Sequence, residues 1–145
     1  MFLLDTNVIS LLDPVRSKQN VNLVGWISQN GDNLFLSAVT LTEIRTGILT
    51  LQRKQLLQRA DILLAMLSEI TARFADRILP MDKVVALKVA ELKNFAYPFT
   101  NDLADLIIGA TADVHRLIVI TRDIRHFSPM GVKVLDPFAQ LPAGG

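Results

Sequence analysis

Leu117-Ile118-Val119-Ile120-Thr121-Arg122-Asp123 is the stretch on which the fold turns. Its apolar run is β-branched at Ile118, Val119 and Ile120 and reads as a short buried strand. An acid, Asp123, follows that strand almost at once. The chain opens in the same way, with Phe2-Leu3-Leu4 running straight into Asp5. In open α/β sheets, ligands sit outside the carboxyl ends of the strands. Two acids just past two strand ends are therefore more telling than acids anywhere else.

Outward from these strands, strand and helix alternate. Asn7–Leu12 reads as a helical turn stopped by Asp13-Pro14, and Asn22–Gln29 carries Leu23, Val24, Trp26 and Ile27 at helical spacing. After the turn-forming Asn30-Gly31-Asp32-Asn33, Leu34–Leu36 is expected as a second strand and Thr40–Leu49 as a helix. Lys54–Ile78 reads as one or two helices with Leu56, Leu57, Leu63, Leu64, Leu67, Ile70 and Phe74 at three- and four-residue steps, ended by Leu79-Pro80-Met81. Asp82–Phe95 is expected as a helix capped by Asp82, and Asn101–His115 as a buried one. Asp123–Phe127 reads as a turn or short helix, Val132–Leu135 as a last strand, and Pro137–Gly145 as a tail that frays. Short apolar strands separated by helices predict an α/β fold, with a parallel sheet between helices. One domain is expected over residues 1–136, followed by a tail over 137–145.

With 145 residues, 50% hydrophobic and 20% charged, the composition is that of a globular chain. No apolar stretch reaches the roughly 18 residues that span a bilayer. Asp5 interrupts the apolar start, so no secretory signal is read there. The chain has 0 Cys, which rules out disulfides and thiolate zinc sites and suits a reducing, cytoplasmic setting. The net charge of +1 does not announce a nucleic-acid binder. The arrangement of charge is more pointed: Arg45, Arg53, Lys54 and Arg59 follow Glu43, and Arg116, Arg122 and Arg125 bracket Asp123. Basic residues flanking an acidic centre are suited to holding a phosphate backbone, although each also fits an ordinary solvated face.

Four acids carry the chemistry: Asp5, Glu43, Asp105 and Asp123. Each has a structural alternative. Asp5 and Asp123 fit N-caps of the short helical segments that follow them. Thr40-Leu41-Thr42-Glu43 fits a capping box, in which Glu43 satisfies a backbone N–H. Asp105 is harder to explain structurally. It lies in the first turn of an apolar helix whose better cap is Asn101 or Asp102, and an ionised carboxylate there needs a partner. His115 and His126 are isolated, and no Gly-rich phosphate loop, Gly-x-Ser-x-Gly or Cys nucleophile is present. Four carboxylates brought together without a cation are costly, and a divalent ion relieves that cost.

Leu4-Asp5-Thr6-Asn7, Leu41-Thr42-Glu43-Ile44, Asp105-Leu106-Ile107-Ile108-Gly109-Ala110-Thr111-Ala112 and Ile120-Thr121-Arg122-Asp123, in this order and spacing, resemble the PIN-domain nucleases. Within that family the chain is similar to the VapC-type toxins of toxin–antitoxin modules, from Met1 to about Leu135. The resemblance implies a three-layer α/β/α sandwich with a central, mostly parallel sheet, and metal-dependent cleavage of RNA. It matches Asp5, Glu43, Asp105 and Asp123 to the family's acidic quartet and Thr121 to its supporting hydroxyl. Asp5, Asp105 and Asp123 are then the expected ligands of Mg²⁺ or Mn²⁺. The family carries Asn or Asp at the last position, and this chain has the more acidic form. An antitoxin partner covering the groove and a homodimer are also implied.

Two other functions fit parts of the pattern. A regulatory subunit that scaffolds a DNA-binding antitoxin would use the same acids to hold a partner's Arg. A phosphoacceptor receiver or an Asp-nucleophile phosphatase also has acids at strand ends. The phosphatase wants an Asp where Asn7 stands, and the receiver wants a Lys after a late strand, where this chain has Thr121-Arg122-Asp123.

Overall fold

A computed structural model describes residues 1–99 and 102–142 of the chain. Five strands, β1 (Phe2–Leu4), β2 (Leu34–Ser37), β3 (Ile78–Leu79), β4 (Ile118–Ile120) and β5 (Val134–Leu135), form one sheet in the order β3-β2-β1-β4-β5. All four pairings are parallel. β1 is central, with Leu3 beside Phe35 on one flank and Val119 on the other.

The strands alternate faces, as the pleat requires. Leu4 and Ile120 pack into one cluster with Val8, Ile27, Leu36 and Ile48. Their chain neighbours Leu3 and Val119 pack into a second cluster with Val85, Leu106, Ile108 and Phe127. The first cluster is closed by α1 (Thr6–Ile9), α3 (Val21–Gln29), α4 (Ala38–Arg53) and α5 (Leu57–Phe74). The second is closed by α6 (Lys83–Ala96), α7 (Leu103–His115) and α8 (Ile124–Phe127). A short helix, α2 (Pro14–Ser17), follows Asp13. The result is the expected three-layer α/β/α architecture with a parallel sheet.

α7 is apolar almost all round, and Leu106 through Ala112 are buried. It ends at Arg116, whose left-handed backbone (φ 57°) lets its N–H close onto Ala112 and Asp113 carbonyls. No helix among the described residues is long and apolar enough to cross a membrane.

Three local expectations are corrected. Ile78 does not end a helix: it opens β3 and pairs with Leu36, after α5 has closed at Phe74. Asp13-Pro14 does not merely stop the chain, because the Asp13 carboxylate accepts the Val15 N–H and caps α2. The tail does not fray over its described part. The Trp26 indole N–H donates to the Pro142 carbonyl at 2.9 Å, and Leu141 packs on the first cluster. Residues 143–145 of that tail, and Asn101 as a possible helix cap, lie outside the described residues.

Candidate active site

The parallel register builds the site. Leu4 pairs with Ile120, and the Asp5 N–H donates to the Ile120 carbonyl at 2.9 Å. The residues that follow β1 and β4 therefore leave the sheet side by side. The buried Thr121 hydroxyl donates to Asp5 Oδ2 at 2.8 Å, and the Asp123 N–H donates to the same hydroxyl at 2.9 Å. One hydroxyl thus sets both acids. The other Asp5 oxygen accepts the Thr6 N–H at 2.7 Å, so Asp5 caps α1 and also faces the site. Asn7 Nδ2 donates to Asp123 Oδ2 at 3.0 Å, which leaves Asp123 making no side-chain cap to α8.

Glu43 arrives from the neighbouring strand. Ser37, at the end of β2, caps α4 through its own hydroxyl, so no capping box forms around Thr40. Thr40 is instead inside the helix and fully buried, with its Oγ1 3.0 Å from that of Thr6. Glu43, released from capping, accepts the Thr6 hydroxyl at 2.6 Å.

Asp105 stands in the first turn of α7, behind the cap Asp102, whose carboxylate accepts the Asp105 N–H at 3.0 Å. Its side chain meets the His126 ring, with Nδ1 3.2 Å from Oδ2. Asp82 caps α6 by accepting the Val85 N–H and plays no part here.

The electrostatics join the four acids. Burial pushes the Asp5 carboxyl above its usual range, and the charges of Glu43 and Asp123 add to the effect against the hydrogen bonds from Thr121 and Thr6. Asp105 is pushed up to about 6, first by burial, then by the charges of Asp102 and Asp5. A charged His126 beside it acts in the opposite direction. Among the described residues, no Lys or Arg forms an ion pair with any of the four.

Among the described residues, no three His, Asp or Glu side chains are drawn close enough to ligate one ion directly. The donor chemistry nevertheless suits a hard cation. The four acids offer oxygen donors, none of them is in an ion pair with Lys or Arg among the described residues, and Mg²⁺ prefers oxygen ligands and keeps several of its waters. Asp5, Asp105 and Asp123, the ligands that the family resemblance implies, would hold such an ion.

Thr6, Asn7 and His126 also belong to the site, although no role was read for them in the sequence. The signal for the first two was present. They follow Asp5 directly at the end of a central strand, where any polar side chain faces the same hollow. His126 had no sequence neighbour to mark it, because its partner Asp105 comes from α7.

A PIN-domain family model matches residues 2–132. The chain is 37% identical over 142 residues to Toxin FitB of Neisseria gonorrhoeae, covering 95% of this chain and 99% of that one. It is 31% identical over 144 residues to VapC ribonuclease Y4jK of Sinorhizobium fredii, covering 95% of this chain and 98% of that one. Among solved structures it resembles FitAcB of Neisseria gonorrhoeae, with a TM-score of 0.82 at 36% identity over 97% of this chain and 100% of the other.

Proposed function

The chain belongs to the PIN-domain family, and on that premise we propose that it is a metal-dependent endoribonuclease acting as the toxin of a toxin–antitoxin pair. One observation carries the reading: four carboxylates interact at the carboxyl edge of the sheet, none of them in an ion pair with Lys or Arg among the described residues, and two of them are held above their usual range, Asp105 even with His126 beside it. Asp13, whose role is structural, has the Arg59 fork that these acids lack.

Asp5, Asp105 and Asp123 hold Mg²⁺ or Mn²⁺ in this reading. Such an ion would supply charge neutralisation at these carboxylates and Lewis acidity toward the phosphodiester and water. Thr121 keeps one Asp5 oxygen turned and fixes the start of the Asp123 loop. Asn7 orients Asp123 through its amide. Glu43 is exposed, accepts the Thr6 hydroxyl, and in this reading orients or deprotonates the attacking water. His126 stands where it can pass a proton at Nδ1 or hold Asp105 until the ion enters.

An antitoxin follows from the toxin reading. A basic side chain from it would satisfy the four acids and compete with the ion. A homodimer joining two such sites, and action on RNA in the cytoplasm, belong to the same proposal.

The test is incubation of the free protein with total RNA and each ion, followed by mapping of cut ends. Discrete cuts that vanish on chelation and return with Mg²⁺ or Mn²⁺ are expected. No cleavage with either ion, or cleavage that survives complete chelation, sinks the reading.

A further inference from the structure

Arg122 lies between Thr121 and Asp123, two residues of the site. A guanidinium there would be expected to fold onto a carboxylate. Among the described residues it forms no ion pair. Its guanidinium carbon sits over the Phe138 ring instead, 4.8 Å from the centroid. Its backbone N–H leans on Asn7 Oδ1 at 3.4 Å, so the base of the side chain is tied to the residue that orients Asp123.

Phe138 is held as well. Its N–H donates to Asp136 Oδ1 at 2.9 Å, and the segment beyond it is pinned by the Trp26 bond to Pro142. The C-terminal segment therefore has a task that its composition does not show: it carries an aromatic face that keeps a cation at the lip of the acidic hollow. On the ring, the guanidinium keeps its N–H edges free of the carboxylates. Those edges match a phosphate in a two-point geometry that an ammonium does not offer.

We propose that Arg122, held on Phe138, grips a phosphate of the RNA strand beside the scissile one, and that Phe138 is its positioning residue. The inference rests on the nuclease reading above. The acids and their ion handle one phosphate, and the strand's neighbouring charge needs a cation that does not enter the hollow and displace that ion. Arg122 is exposed, directly adjoins Asp123, and is kept out of the hollow.

The experiment uses the full chain with Mg²⁺ and a single-stranded oligoribonucleotide, over a series of salt concentrations. Arg122→Ala is expected to raise KM about tenfold while kcat stays within about twofold. It should also make the dependence of log KM on log salt shallower by about 0.7, the share of one phosphate contact on a single strand. Arg122→Lys should restore the salt slope but only part of KM. Phe138→Leu should raise KM about threefold with the slope unchanged. Parental KM and slope in Arg122→Ala would overturn the proposal, as would a loss of kcat at unchanged KM, which would make Arg122 a support for the Thr121–Asp123 turn. If the parent chain cleaves no RNA, the nuclease reading fails first. Equilibrium binding of the same oligonucleotide then decides Arg122 separately, and equal affinity and salt slope in the two proteins reject it.

Discussion

Asp13 and Asp5 are both buried carboxylates, 1% and 5% exposed, and their surroundings have opposite signs. Asp13 takes the Arg59 fork on both oxygens and the Val15 N–H, with Arg16 3.7 Å away. The Arg59 hydrogen bond, ahead of every other influence, holds its carboxyl below the usual range. Among the described residues Asp5 receives a hydroxyl and an N–H, and burial first, then the charges of Glu43 and Asp123, push its carboxyl up. A buried acid with a guanidinium fork is complete and serves architecture, because it ties the start of α2 to α5. Asp5 lacks such a fork and shares a hydroxyl with the Asp123 loop instead, and in the proposed function a cation from outside supplies the counter-charge.

The contrast is broken most sharply by removing charge from the incomplete set. Asp5→Asn and Asp105→Asn should each lower RNA cleavage by roughly a thousandfold, about 4 kcal/mol of transition-state stabilisation. Denaturant melts should show either variant at least as stable as the parent in metal-free buffer. A variant that cleaves normally after metal is stripped and restored would remove the carboxylates from the mechanism.

Removing the cation from the complete set should do the reverse. Arg59→Ala leaves the Asp13 charge buried without its main partner, a loss of about 3 kcal/mol, discounted for the partial exposure of Arg59. Urea unfolding should show a lower midpoint with an unchanged slope, and any surviving folded fraction should keep its cleavage rate. A loss of activity larger than the loss of folded protein would tie Asp13 to the site.

The smallest effect separates the two regions by pH. Asp105 has its folded pKa raised to about 6, so the folded chain binds more protons than the unfolded one between about 4 and 6. In metal-free buffer its contribution to stability should therefore grow as pH falls through that window, by about 1 kcal/mol. Asp13 is lowered instead. Its contribution is in place above the ordinary Asp range near 4 and is lost below it, as pH falls through the folded value. Melting temperatures at pH 7, 5 and 3 should rise and then drop, and Asp105→Asn should make the rise smaller, leaving the share of Asp5, whose carboxyl is also raised. A rise unchanged in Asp105→Asn would assign it elsewhere.

Much of this was open to reading from local pattern. Phe2–Leu4, Leu34–Ser37 and Ile118–Ile120 are short apolar runs, and burial on both faces of a parallel sheet demands that composition. The acids after two of them were marked by position. β3 was not legible, because a two-residue strand has no period, and Ile78–Leu79 is made a strand by the edge of β2. The start of α4 was misread because Thr40-Leu41-Thr42-Glu43 satisfies the capping pattern as well as Ser37 does locally. The choice fell to Ser37, which ends β2 where the chain must turn, and Thr40 was left to face Thr6 in the interior.

The amino-acid order by itself determined the layered α/β class, the strand ends that carry Asp5 and Asp123, and the burial of the helix that carries Asp105. These depend on periodicity and on the run lengths of apolar residues, which neighbours in the chain set. Tertiary structure alone decided that Thr6 would hold Glu43, that His126 would meet Asp105, and that Arg122 would lie on Phe138. Each of those contacts joins residues from different elements, and only the packed sheet and its two helical layers set the distance between them.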